Sequence, residues 1–111
     1  MMIDWERVAD LKAEVGVDGF DEVIALFLEE TDEVVARLPA SGDALQVGRD
    51  LHFLKGSALN LGFREMAQLC QDGERKIALG AVEEVDLRAL AALYRKSKAA
   101  FHAALAKTDA A

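Results

Sequence analysis

A chain of 111 residues has room for one domain and not for two. Its formal net charge of −7 argues against nucleic-acid binding, which rests on neutralising phosphates, and against attraction to an anionic membrane surface. Cys70 is the single cysteine, so an internal disulfide is excluded, and its place on an apolar helix face predicts a buried structural thiol.

No apolar run approaches the roughly 20 residues of a membrane span. The first residues run straight into charge, without the apolar segment of a signal peptide. The expectation is a soluble, cytoplasmic protein. One proline, with plentiful alanine, leucine, glutamate and lysine, reads as all-α.

The first helix is expected over about 4–14. Asp4 caps it, and Trp5, Val8, Leu11 and Val15 recur at helical spacing. The run Gly16-Val17-Asp18-Gly19 breaks it. A second helix, over about 19–38, carries Asp21 and Glu22 in its first turn, where the helix dipole favours acids. Phe20, Val23, Ile24, Phe27, Leu28, Thr31, Val34, Val35 and Leu38 form its apolar stripe. Glu29, Glu30, Asp32 and Glu33 lie mostly off that stripe and read as a solvated face.

The run Pro39-Ala40-Ser41-Gly42 predicts a turn. A third helix follows over about 43–61, stopped by Gly62. The fourth spans about 63–79, with Met66, Leu69, Cys70 and Ile77 on one side. Gly73 lies on that side too, where a small residue permits close helix approach. After Gly80-Ala81 the last helix runs over about 85–107 and carries Leu87, Leu90, Tyr94, Phe101 and Leu105; Thr108 to Ala111 is expected to fray. Four long helices with one stripe each, joined by short connections, predict an antiparallel four-helix bundle. The short first helix caps one end of this single domain, residues 1–111.

The third helix carries the most informative residues. At about 100° per residue from Leu45, the positions Val47, Leu51, Leu54, Ala58 and Leu61 fall between roughly 160° and 240°. That arc is its core stripe. His52, one of two histidines, falls near 340° and therefore points outward from mid-helix. Lys55 follows at i+3, where helical side chains meet, and its ammonium can hold a phosphoryl group carried by the ring. Gly48 and Gly56 flank His52 at i−4 and i+4. Each costs a helix interior about 1 kcal/mol relative to alanine, so their pairing implies that space is needed there. Leu45 and Leu59 put apolar surface around the histidine, as a docking ring would. Ser57 and Asn60 lie toward the flank and receive no chemistry.

His102 lacks these neighbours and reads as an ordinary surface histidine. Two histidines and one cysteine do not make a usual zinc site. Neither GxxxxGK[ST] nor GxGxxG occurs, so no nucleotide site and no kinase activity are expected. No nucleophile–base–orienter set for hydrolysis stands out.

The run His52-Phe53-Leu54-Lys55-Gly56-Ser57-Ala58-Leu59-Asn60-Leu61-Gly62 resembles the motif of histidine-containing phosphotransfer (HPt) domains, His-x-Leu-Lys-Gly-Ser with a Leu-Gly pair beyond. Asp4 to Val8 and Phe27 to Thr31 also look like the first two helices of bacterial members. Leu51 departs from the pattern, since alanine often precedes the histidine; its place on the core stripe implies a packing difference.

The resemblance implies a stand-alone phosphoryl carrier in a multistep two-component phosphorelay. A receiver domain phosphorylated on aspartate docks over His52, the distal ring nitrogen takes the phosphoryl group, and a second receiver aspartate removes it. Lys55 would stabilise the group, Gly56 would give access, and Leu45, Gly48 and Leu59 would meet the partner. The partners implied are receiver domains of hybrid histidine kinases and response regulators. They would bring the Mg²⁺, and the HPt domain would have no cofactor of its own. A monomer is expected, each helix having one clear apolar stripe. The alternatives are an HPt-like docking module that is never phosphorylated and a helical dimerisation scaffold.

Overall fold

The computed structural model describes residues 2–38 and 43–110, with side chains as far as 106. Five α-helices follow one another: α1 Trp5–Val15, α2 Val17–Arg37, α3 Ala44–Leu61, α4 Arg64–Ala78 and α5 Leu87–Ala110. A 3₁₀ turn, Val82–Glu84, lies before α5, and no strand occurs among the described residues.

Local chemistry sets the helix ends. The Asp4 carboxylate accepts from the Glu6 and Arg7 amides and caps α1; Asp43 does the same for α3 through the Leu45 amide. Asp86 accepts from the Ala89 amide ahead of α5, which begins one residue later at Leu87. The break between α1 and α2 is Gly16 alone, at φ +84°, and α2 starts at Val17, two residues earlier than expected. One left-handed glycine turns the chain, so Gly19 is left inside the first turn of α2. The α5 helix reaches Ala110, past its expected end. The turn expected at Pro39 to Gly42 lies outside the described residues.

Gly62 ends α3 at φ +76°, and its amide returns to the Ala58 and Leu59 carbonyls. It has a second duty. The Asp4 amide donates to the Gly62 carbonyl at 2.6 Å, and a Cβ on residue 62 would stand 2.6 Å from the Asp4 carbonyl oxygen. The lid helix is thus anchored where only glycine fits.

Helices α2 to α5 form an antiparallel bundle. Along α3 and α4 the partners run in opposite order: Gly48 faces Ile77 and Lys55 faces Glu74. Between α2 and α5, the hydroxyl of Tyr94 and the ammonium of Lys98 both reach Asp32. The core is a continuous apolar cluster in which Leu38, Leu51, Leu54, Leu61, Phe63, Met66, Cys70 and Phe101 are fully buried. Each large side chain so buried contributes roughly 1.5–3 kcal/mol.

Helix α1 closes one end. Val8 and Leu11 enter the core, while Trp5, 41% exposed, lies flat on Phe101 with ring centroids 5.9 Å apart. Trp5 is therefore an outer cover and not the core residue its spacing suggests.

Gly73 sets the α3–α4 approach. A Cβ there would come within 2.8 Å of Leu51 Cδ1. This bears out the reading of Gly73 as a contact residue, and it accounts for the leucine at position 51, which fills the hollow that the glycine leaves.

Candidate functional site

His52 stands in mid-α3 with its side chain 75% exposed. The helical angle correctly separates it from the buried Val47, Leu51, Leu54, Ala58 and Leu61. The sequence reading missed a polar neighbour on the next helix. Glu74, on α4, places Oε2 3.4 Å from His52 Nδ1 and Oε1 2.9 Å from Lys55 Nζ. One carboxylate bridges the imidazole and the ammonium. Lys55 is thus engaged with Glu74 and held beside the histidine, with about a quarter of its side chain exposed. No one-dimensional signal marks Glu74, because its place depends on the register of α4 against α3.

The arrangement has a chemical consequence. A carboxylate facing Nδ1 accepts a hydrogen bond when Nδ1 carries the proton, and so favours the tautomer in which Nε2 carries the free lone pair. In that tautomer the lone pair lies on Nε2, the ring nitrogen farther from the backbone.

The two flanking glycines differ. Nothing lies within 4 Å of a Cβ built on Gly56, so this position opens onto solvent. At Gly48 a Cβ would meet Ile77 at 3.8 Å, an ordinary contact. Neither glycine is demanded by packing within the bundle. Leu45 and Leu59, 62% and 57% exposed, lie on the same outer face. Phe53 joins them at 39% exposure, an apolar residue beside the histidine that the stripe argument left unassigned. A shallow apolar depression lined by Leu45, Gly48, His52 and Ile77 lies on one side of the imidazole.

One buried polar residue of α3 was missed, and a second was placed only on the flank of the helix. Asp50 is 2% exposed and takes bonds from Arg37 Nη2 at 2.8 Å and Gln46 Nε2 at 2.9 Å, tying α2 to α3. Ser57 is buried as well. Both lie at the edge of the α3 stripe, which is wider than the arc drawn through its leucines. Neither reaches the outer face.

His102 stands apart from this cluster, edge-on to Phe101 on α5. Among the described residues no group of three histidine, cysteine or carboxylate side chains is placed to hold a metal ion. No helix among them is long and apolar enough to cross a membrane. The Cys70 thiol is pushed up to about 12, chiefly by burial and further by the nearby Glu74 charge.

Comparison with known proteins decides the family. The family model of the Hpt domain matches residues 22–110. The chain belongs to the Hpt domain family. No curated protein and no solved structure matches it. The matched stretch contains α2 from Glu22 onward and the whole of α3, α4 and α5, so it includes His52, Lys55 and Glu74. Membership gives the chain a histidine phosphotransfer role in a two-component phosphorelay, as a phosphocarrier module working with receiver domains and not as a kinase. Helix α1 lies outside the match, although it is built into the bundle end.

Proposed function

We propose that His52 is the phosphorylated residue and that it shuttles the phosphoryl group between the aspartates of two receiver domains. Nε2 attacks the phosphorus of the first receiver's aspartyl phosphate. An N–P bond forms as the P–O bond to the aspartate breaks, and the carboxylate leaves with the bonding pair. The return step, onto the second receiver, runs the same way in reverse. Such transfers depend mainly on placement and charge stabilisation. This chain supplies the placed nucleophile, a nearby ammonium and open space; the receiver is expected to supply Mg²⁺ and its own aspartate.

The observation that carries this reading is the His52–Glu74–Lys55 cluster on an outer face with clear space at Gly56. Glu74 contacts the ring at Nδ1. Lys55, already within reach of that carboxylate, is placed to turn to the phosphoryl group when it arrives. Leu45, Gly48, Phe53 and Leu59 give the receiver its apolar footing. In this reading the bundle works as a monomer.

The deciding experiment offers a panel of phosphorylated receivers to wild type and to His52→Gln. Wild type is expected to acquire an acid-labile, base-stable phosphoryl group, and His52→Gln none. Equal labelling of both proteins would exclude His52, and binding without any transfer would leave a docking module.

A further inference from the structure

On the other side of Lys55 from the histidine, α1, α3 and α4 enclose a cleft of about 190 Å³. At roughly 30 Å³ per water it holds about six waters, enough for one polar side chain. Its walls bear three cations, Arg7, Lys55 and Arg64, and two amides, Gln68 and Gln71; its one carboxylate is Asp4. Three positive groups around one hollow are unusual on a chain whose net charge is −7.

Glu74 holds Lys55 at 2.9 Å, but the contacts of the two arginines are weak. Asp4 Oδ1 is occupied in capping α1, while Oδ2 meets Arg64 Nη2 at 3.3 Å. Arg7 reaches the exposed Glu14 at 3.2 Å and Asn60 at 3.4 Å. These distances sit at the long end of the hydrogen-bond range, and such exposed pairs are worth little. A better-placed carboxylate can displace them.

The cleft also lies under a docked partner. Leu59, on its wall, is seven residues beyond His52, about 10 Å along the helix. A partner covering about 800 Å² spans a patch of about 16 Å radius, so a receiver seated over His52 reaches it. The face is therefore two-sided around the histidine, apolar toward Leu45 and Ile77 and cationic toward Arg7 and Arg64.

We propose that this cleft takes an acidic side chain of the receiver, so that Arg7 and Arg64 select partners and fix the direction in which they dock. This deepens the phosphotransfer reading and rests on it. Charge pairs of this kind act on specificity and on association rate.

The test measures both binding and transfer for the receiver panel, using wild type, Arg64→Lys and Arg64→Glu, with Arg7→Gln as a milder second variant. Glutamate at the start of α4 suits the helix dipole, so Arg64→Glu should fold; circular dichroism and melting check this. For receivers that use the cleft, Arg64→Glu is expected to weaken binding at least tenfold and Arg64→Lys less than threefold. The loss should fall on the concentration dependence of transfer, with the rate at saturation changed less than twofold. Binding by wild type should also fall more steeply with salt than binding by Arg7→Gln.

Unchanged binding of every receiver to Arg64→Glu would overturn the proposal. So would an NMR titration in which acetate or inorganic phosphate saturates the cleft while receivers bind Arg64→Glu normally, since the cleft would then serve a free anion. Binding to wild type without transfer would instead defeat the phosphotransfer reading, and the binding comparison would still decide the cleft.

Discussion

Glu74 meets His52 and Lys55 through opposite oxygens, so its two roles can be separated by substitution. Glu74→Gln keeps an oxygen that accepts from Nδ1–H but removes the charge facing Lys55. Glu74→Ala removes both. Transfer by Glu74→Ala is expected to slow roughly tenfold, since a misplaced reacting group costs up to about a hundredfold. Glu74→Gln should stay within a few-fold of wild type. Ring ¹⁵N shifts of His52 provide the independent check. Wild type should populate the Nδ1–H tautomer, and Glu74→Ala should lose that preference; unchanged shifts would mean that Glu74 does not set the tautomer. Cys70 yields a second prediction at this scale. With its thiol raised to about 12, roughly one molecule in 10⁴ is thiolate at pH 8. Thiol reagents should therefore leave the folded protein unmodified and react fully once it is unfolded; fast labelling of the native chain would contradict the buried placement. His52 and Lys55 were legible in the sequence because one helix and its angular spacing determine their face. Glu74, Asp50 and the cleft were not, because each depends on how two or three helices are registered against one another.

Glycines within helices show how an element's effect depends on its neighbour. Gly56 and Gly73 both lie inside helices and both forgo about 1 kcal/mol of helix propensity. At Gly56 a methyl group meets nothing within 4 Å, so Gly56→Ala should stabilise the bundle by up to about 1 kcal/mol. At Gly73 the methyl would press on Leu51 at 2.8 Å, and overpacking costs about 1–3 kcal/mol. Gly73→Ala should therefore destabilise, and by parting α3 from α4 it should also weaken the Glu74 contacts. Urea unfolding of the two variants gives the signs; two stabilised proteins would show that α4 shifts without cost. The α2–α5 seam carries a pH-dependent element. Burial pushes the Asp32 carboxyl up, but hydrogen bonds from Lys98 and Tyr94 and the Lys98 charge outweigh it and hold it below its usual value. Its proton is thus bound more weakly in the fold than in the unfolded chain. The resulting stabilisation is complete above about pH 4 and is lost as pH falls through the lowered folded value. Asp32 is 45% exposed, which limits the effect to less than about 1 kcal/mol. Asp32→Asn should flatten the acid limb of the stability curve by that amount, as read by urea midpoints from pH 5 downward; an unaltered acid limb would remove the seam from the account. Helix existence was legible throughout because caps, apolar stripes and glycines agreed. The start of α2 was misplaced by two residues because the glycines at 16 and 19 look equally able to break a helix, and only the first adopts positive φ.

Across the whole molecule, the family match and the physical unit do not coincide. The match begins at residue 22, yet α1 is fastened to the bundle by the Asp4–Gly62 backbone bond, the Trp5–Phe101 stack and the burial of Ile3, Val8 and Leu11. Three such side chains at roughly 1.5–3 kcal/mol each amount to about 5 kcal/mol or more, as large as the entire stability of many small domains. The lid also leaves Phe63 and Phe101 buried, and these two rings pack edge to face at the bundle end that it covers. Removing residues 2–15 should therefore do more than lower the melting temperature. It should expose an aromatic end, weaken cooperative unfolding and promote binding of hydrophobic dyes. It would also strip Arg7 and Asp4 from the cationic cleft, while the α3–α4 contacts of His52 involve no residue of α1. The full chain and the truncated chain should thus differ most in melting and in receiver selectivity. If the truncated bundle instead melts within a few degrees of the full chain and unfolds as sharply, α1 is an accessory helix whose contribution lies in partner choice alone.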